Sequence, residues 1–217
     1  VEAKIMKAKK NYGYAKMLNI IHPSDMRVLP RCSVARQCGG CQIQEMDYGS
    51  QLGFKYEKVC NNLVRLGDIS VELLERVMEP ICGMEQPFRY RNKAQFPIGK
   101  DRNGKLTAGF YAGRTHSIIP IPDGDCVLGV EENKKVLQEI LDYMEKYGVE
   151  PYDEASHSGL VRHVLIRKGF STNEIMVCLV INGKMLPHKR ELVKELTAVK
   201  GMTSISCSVN EEKTNVI

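Results

Sequence analysis

Three cysteines crowded into one short stretch constrain the fold of this chain more than any other feature. Cys32, Cys38 and Cys41 are separated by five and then two residues, in a segment with neither a helical nor a strand period. The segment also contains Gly39 and Gly40, which permit backbone angles that other residues resist. The pattern predicts an irregular loop on which three thiolates can converge on one inorganic centre.

A centre held by four thiolates needs one more cysteine, and Cys126 is the best candidate. It lies in a predicted turn, PDGDC, that follows an extended segment. We interpret the other cysteines as buried or inert thiols: Cys60, Cys82, Cys178 and Cys207. Four thiolates suit an iron–sulfur cluster or zinc, and the spacing alone leaves both open. A redox function of the CGGC pair is a weaker alternative, because it would leave Cys32 idle.

Size and charge set broad limits on the chain. With 217 residues, 43% of them apolar, it can form one large or two small domains. The net charge of +5 permits RNA binding without proving it. We find no apolar run of membrane-spanning length and no signal peptide, and therefore expect a cytoplasmic protein without a membrane partner. Because the chain starts within a predicted strand and not at Met, we also expect an excerpt.

Hydrophobic periodicity predicts an α+β fold with a mainly antiparallel sheet. Asp47 can cap the first helix, and Asn103-Gly104 is a strong hairpin signal. The predicted elements are strands near 1–8 and 14–21, a helix over 47–66, a hairpin over 94–112, a helix over 131–147, a hairpin over 161–181, a helix over 189–199 and a strand over 204–210.

One short segment combines basic and aromatic residues. Between Phe88 and Lys93 three cations alternate with two rings, a composition suited to binding phosphates and supporting unstacked bases. A solvated strand edge explains the composition equally well. The candidate RNA-binding residues are Arg89, Arg91, Asn92 and Lys93. A weaker candidate group is Arg162, Arg167 and Lys168.

Three segments, in this order, carry a family resemblance: CSVARQCGGCQIQ, FRYRNKAQF and GFYAGRTHSIIPIPDGDCVLG. Together they resemble the S-adenosylmethionine-dependent RNA uracil-5-methyltransferases of bacteria over nearly the whole chain. The resemblance implies RNA contacts by Arg91 and Lys93, with Asn92 less firmly placed. It also implies that a [4Fe–4S] cluster is held by Cys32, Cys38, Cys41 and Cys126.

The resemblance implies a domain division as well. Residues 1–28 would be the tail of an OB-like RNA-binding β-barrel called TRAM, 29–46 the iron–sulfur loop and 47–217 a central α+β domain. The helix near 47–66 would pack on a catalytic domain beyond the last residue, and its uncovered face would favour self-association. In this family the catalytic residues and the S-adenosylmethionine site lie in that later domain. We therefore expect neither site in this chain, and no activity from it alone.

The expected function is the RNA-binding, iron–sulfur portion of an S-adenosylmethionine-dependent methyltransferase that forms 5-methyluridine in 23S ribosomal RNA. The main alternative is a zinc-stabilised RNA-binding module without enzymatic activity. An iron–sulfur methylthiotransferase fits less well, because its radical-cluster motif is CxxxCxxC and this chain has CxxxxxCxxC.

Overall fold

The computed structural model describes residues 1–113 and 115–214, which divide into two compact units. One unit contains Val1–Leu29 and Ile43–Gly83, and the other contains Pro30–Gln42 and the residues from Met84 onward. This division groups the loop that carries Cys32, Cys38 and Cys41, here called the cysteine loop, with the later residues. It groups the helix near 47–66 with the first hairpin. The predicted domain ranges stay a prediction.

The first unit has a hairpin and two helices. Strands β1 (Glu2–Ala8) and β2 (Gly13–Asn19) pair antiparallel, and every residue in both strands is exposed. The predicted pair of strands is confirmed, whereas an OB-like barrel stays a prediction. Two helices follow, α1 (Tyr48–Arg65) and α2 (Val71–Val77), and the sequence patterns had not indicated α2.

Helix α1 begins as its sequence predicts. The Asp47 carboxylate accepts a hydrogen bond of 2.9 Å from the Ser50 backbone N–H, which satisfies one donor left free at the helix start. Leu52, Tyr56 and Leu63 repeat at helical spacing and are only half-buried, and no residue of α1 is fully buried. The apolar side of α1 is therefore incompletely covered by the described residues.

The second unit is built on a six-stranded sheet within the described residues, in the order β5-β4-β3-β6-β7-β8. All neighbouring strands pair antiparallel except β7 and β8, which run parallel. The predicted α+β class with a mainly antiparallel sheet is confirmed. The strands are β3 (Lys93–Lys100), β4 (Leu106–Tyr111), β5 (Ile118–Pro120), β6 (Val161–Lys168), β7 (Ile175–Ile181) and β8 (Met202–Val209).

Helices α3 (Glu132–Lys146) and α4 (Lys189–Thr197) cover one face of this sheet. Phe96, Val164 and Leu179 are cross-strand neighbours on that face, and none is more than 2% exposed. They join the same buried cluster as Ile140 of α3 and Leu196 of α4, both fully buried. Because strand side chains alternate between faces, other strand residues point to the opposite side of the sheet, where Leu165 and Val180 are also buried.

No helix in the ranges 1–113 and 115–214 combines the length and the apolar character needed to cross a lipid bilayer.

Candidate metal centre and nucleic-acid surface

The cysteine loop is a series of tight turns. The Ala35 N–H donates to the Cys32 carbonyl at 3.2 Å, and the Cys38 N–H donates to the Val34 carbonyl at 2.8 Å. The Gly40 N–H also points at the Cys38 sulfur, 3.4 Å away. The prediction of an irregular loop is confirmed, and its turns present the thiols from closely spaced backbone positions.

Backbone hydrogen bonding ties this loop to the end of β4. The Gly39 N–H donates to the Tyr111 carbonyl at 2.9 Å, and Cys38 forms an isolated antiparallel bridge with Ala112. A Cβ on Gly39 would lie 2.8 Å from the Tyr111 oxygen and 3.2 Å from the Gly113 nitrogen. Both atoms belong to the backbone and cannot rotate away, so this close approach requires glycine.

The electrostatic environment of the loop thiols places Cys126 near the cysteine loop in the second unit. Burial raises the pKa of the Cys41 thiol, and the neighbouring Cys126, Cys38 and Cys32 raise it further. Burial also raises the pKa of Cys38, with Cys126 and Cys32 adding to the shift and the Gly40 amide opposing it. Because these effects need short distances, the loop and the distant Cys126 share one environment.

The remaining cysteines lie elsewhere in the chain. Cys178 is buried, as expected, whereas Cys82 and Cys207 are exposed. None of the eight cysteines is in a disulfide bond. In the ranges 1–113 and 115–214, no group of three or more His, Cys, Asp or Glu side chains has the arrangement of a metal-ion site.

The Arg89 side chain stabilises the turn that carries Cys126 through hydrogen bonds. Its two terminal nitrogens donate to the two carboxylate oxygens of Asp125 at 2.6 and 2.7 Å. One of them also donates to the carbonyls of Cys126, at 3.0 Å, and Gly129, at 3.2 Å. The Arg89 guanidinium correspondingly lowers the pKa of Asp125. Arg89 is one of the four predicted RNA-binding residues, but its charged group already has these protein partners.

Arg89 also has an unusual backbone conformation. Its φ of 59° lies in the left-handed region, which side chains other than glycine rarely adopt. On either side of this position the chain runs beside the Cys126 turn, because Arg89 N–H donates to Val127 and Arg91 N–H donates to Leu128. The strained residue thus lies where a guanidinium can reach Asp125.

The other three predicted RNA-binding residues differ in exposure. Arg91 is half-buried and close enough to Cys38 and Cys41 to lower the pKa of both thiols. Asn92 and Lys93 are exposed. Arg91 therefore lies beside the thiols, and Asn92 and Lys93 continue the same segment onto the sheet.

Lys93 has a like-charged neighbour across the sheet. It pairs directly with Arg167 of β6, and both side chains are exposed. Like charges directly opposite on two strands repel each other. Among the described residues neither cation has an acidic partner, so this pair presents concentrated positive charge to solvent. We call Lys93 and Arg167 the basic pair.

The weaker basic group predicted from the sequence does not form one surface. Arg162 is 3% exposed and donates to the carbonyls of Asn210, Glu212 and Thr214. Lys168 forms a 2.6 Å ion pair with Glu132 of α3. Only Arg167 of that group is exposed. Lys168 is the next strand position and therefore points to the opposite face.

Comparison with known proteins finds relatives along the whole chain, although no protein-family model matches it. The chain is 46% identical over 218 residues to a Clostridium tetani protein named "uncharacterized RNA methyltransferase". Proteins with the same description from Halalkalibacterium halodurans and Listeria monocytogenes are each 43% identical. All of this chain is covered but only 46% of each relative, so the chain spans about half of their length.

A solved structure has the same fold. It is the Pyrococcus abyssi tRNA (uracil-54, C5)-methyltransferase in complex with S-adenosyl-L-homocysteine, which matches with a TM-score of 0.71. The match covers 98% of this chain and 44% of that protein, at 22% sequence identity. At that identity the likeness establishes the arrangement of helices and strands alone.

Proposed function

We propose that this chain is the RNA-binding portion, carrying a [4Fe–4S] cluster, of an S-adenosylmethionine-dependent RNA (uracil-5-)-methyltransferase. The observation that carries the proposal is the proximity of Cys126 to the loop thiols in a chain related along its whole length to proteins named RNA methyltransferases. The product would be 5-methyluridine in 23S ribosomal RNA. The choice of ribosomal over transfer RNA follows from the cluster, by analogy with the family that the sequence resembles.

The donor set suits an iron–sulfur cluster. All four groups are thiols outside any disulfide bond, three on one glycine-containing loop and one on a separate turn. When bound, the cluster would supply a covalent link between these segments, since four cysteine thiolates are its usual ligands. Arg91 would offset part of the negative charge of the thiolates. The zinc-stabilised module without enzymatic activity is less favoured, because the relatives are named methyltransferases.

The cluster would have a structural function. It would pin the cysteine loop to the Cys126 turn and so fix the side of the sheet that carries the basic pair. Holding distant segments together removes conformational freedom that otherwise opposes their order. The [4Fe–4S] cluster thus prepares the RNA-binding surface and takes no part in methyl transfer.

The remaining half of the relatives' length would contain the catalytic residues and the S-adenosylmethionine site. The Pyrococcus abyssi protein was solved with S-adenosyl-L-homocysteine, which supports S-adenosylmethionine as the methyl donor. Residues 1–28 would belong to a TRAM barrel, and the half-buried side of α1 would pack on the catalytic domain. Without that domain, the same side would favour self-association. A cytoplasmic location would suit eight cysteines that are in no disulfide bond.

Methyl transfer tests the proposed function directly. The full-length protein and this chain alone are each incubated with methyl-labelled S-adenosylmethionine and unmodified 23S ribosomal RNA. We expect the full-length protein to label C5 of uridine, and the chain alone to incorporate no label because it lacks the catalytic residues. Nuclease digestion and mass spectrometry identify the labelled nucleoside. Label on another base or on ribose would contradict the uracil-5 assignment.

The basic pair provides a second test. In a double variant, Lys93→Ala with Arg167→Ala, we expect the chain's affinity for single-stranded ribosomal RNA fragments to fall about tenfold at low salt. The slope of log affinity against log salt should decrease by about 1.4, because two cations fewer release counterions from a single strand. Fluorescence anisotropy measures both quantities. Lys200→Ala, at an exposed lysine after α4, is the control, and an equal loss there would refute a specific contribution of the pair.

A further inference from the structure

A deep cleft opens on the second unit, separate from the basic pair. Its volume is about 1330 Å³. The walls come from the cysteine loop, the β3–β4 hairpin, β5 and the segment 150–163. Small-molecule sites usually span about 300 to 1,000 Å³, so this cleft has room for a nucleotide.

Aromatic rings form part of the cleft wall. The Tyr111 ring lies 5.3 Å from the His116 ring at 34°, and 6.4 Å from the His163 ring at 87°. On the other side, the Arg162 guanidinium lies 4.1 Å from the centre of the Tyr152 ring. Proteins that bind single-stranded RNA place unstacked bases against such rings and guanidinium planes.

Two buried nitrogen atoms in the cleft lack hydrogen-bond partners among the described residues. His163 is 6% exposed and Arg162 is 3% exposed, yet neither His163 Nδ1 nor Arg162 Nε has a hydrogen-bond partner there. Burial and the Arg162 charge lower the pKa of His163 to about 4, so its ring is neutral near pH 7. Buried polar atoms are normally hydrogen-bonded, and both groups line this cleft.

Glu154 contributes a carboxylate that can accept further hydrogen bonds. His116 Nδ1 lies 2.5 Å from one of its oxygens, and the Tyr111 hydroxyl lies 3.5 Å from the other. Burial and this carboxylate raise the pKa of Tyr111 to about 12, which keeps the phenol protonated as a donor. A carboxylate has about four acceptor positions, so Glu154 can also accept hydrogen bonds from a ligand.

We propose that this cleft binds one unstacked base of single-stranded RNA, and that Glu154 makes it prefer bases carrying an exocyclic amino group over uracil. The inference rests on the proposed RNA-binding function. Adenine and cytosine present an amino donor to a carboxylate at the position where uracil presents its O4 carbonyl, and guanine carries its amino group at C2. The pairing edge of uracil has N3–H as its one donor. Arg102, on the β3–β4 turn, lies at the cleft where it can reach the phosphate. The cleft would therefore read a neighbour of the methylated uridine.

The test compares short homopolymeric RNAs for binding to the purified chain by fluorescence anisotropy. We expect oligoadenylate and oligocytidylate to bind about tenfold more tightly than oligouridylate. In Glu154→Gln this preference should fall to about even, because an amide both donates and accepts and can pair with uracil. Glu145→Gln, at an exposed position on α3, should keep the preference. Thermal unfolding checks that both variants are folded.

Three results would overturn the inference. Equal binding of the three RNAs by the wild-type chain, or a preference that survives Glu154→Gln, would refute the base preference proposed for this cleft. Either result would leave the proposed RNA binding of the chain intact. A preference lost equally in Glu145→Gln would refute the assignment to Glu154. No binding to any RNA would contradict both this inference and the proposed function.

Discussion

Replacement of Cys126 by serine is expected to abolish the iron–sulfur content of the chain. Anaerobically prepared wild-type protein should contain about four irons and four sulfides per chain and should absorb light at about 400 nm. Cys126 is the proposed ligand that lies outside the loop, and serine replaces its thiolate with a weakly coordinating hydroxyl. Iron, sulfide and zinc analysis with the visible spectrum measures the result. The affinity for RNA should fall in parallel, because the loop loses its link to the turn.

The matched control is Cys82→Ser, at an exposed cysteine of the first unit. Its metal content and spectrum should equal those of the wild-type chain. If Cys126→Ser retained the full cluster, Cys126 would not be the fourth ligand. If wild-type protein contained one zinc and no sulfide, the zinc-stabilised module would replace the methyltransferase as the better explanation. Unchanged folding and RNA affinity in a cluster-free variant would refute the structural function of the cluster.

Arg89→Ala is expected to loosen the Cys126 turn and lower cluster retention. The substitution removes two hydrogen bonds to Asp125 and one each to the carbonyls of Cys126 and Gly129. Because about one third of each charged side chain is exposed, we expect a loss of only about 2 kcal/mol in the free energy of unfolding. Denaturant titration measures stability, and the rate of cluster loss in air measures retention.

Two further variants separate the side chain of Arg89 from its backbone. Arg89→Lys keeps the charge but cannot form the two-pronged contact with Asp125. We therefore expect it to lose the cluster in air nearly as fast as Arg89→Ala does. Arg89→Gly lacks the side chain but suits the φ of 59°, and it should be about 1 kcal/mol more stable than Arg89→Ala. If Arg89→Ala lowered RNA affinity without affecting stability or the cluster, the original prediction of an RNA contact would be right.

Local signals in the sequence predicted much of the fold. Asp47 lies three residues before the Ser50 amide that it caps, and Asn103-Gly104 forms the turn between β3 and β4. In each case the residues that interact are close in the chain, so their pattern is visible without the fold. The spacing of the loop cysteines is also a local signal of this kind, because turns within the loop bring Cys38 and Cys41 close to each other.

Contacts between distant residues explain what the sequence did not reveal. Arg89 and Asp125 meet only because two segments run side by side, and composition alone made Arg89 resemble an RNA contact. Arg162 is buried because residues 210–214 return to accept its hydrogen bonds. The parallel pairing of β7 and β8 likewise follows from a crossover through α4, whereas alternation along a strand does not specify direction.

The hydrogen bond between Gly39 and Tyr111 has a consequence for the order of folding. The β3–β4 and β6–β7 pairs form between neighbours in the chain, whereas the cysteine loop must find β4 across a much longer segment. Contacts that close long loops cost more entropy and form late. The loop should therefore dock on a sheet that already exists, and the folded apoprotein would be the species that acquires the proposed cluster. Hydrogen exchange of the apoprotein should show a protected sheet beside an unprotected loop.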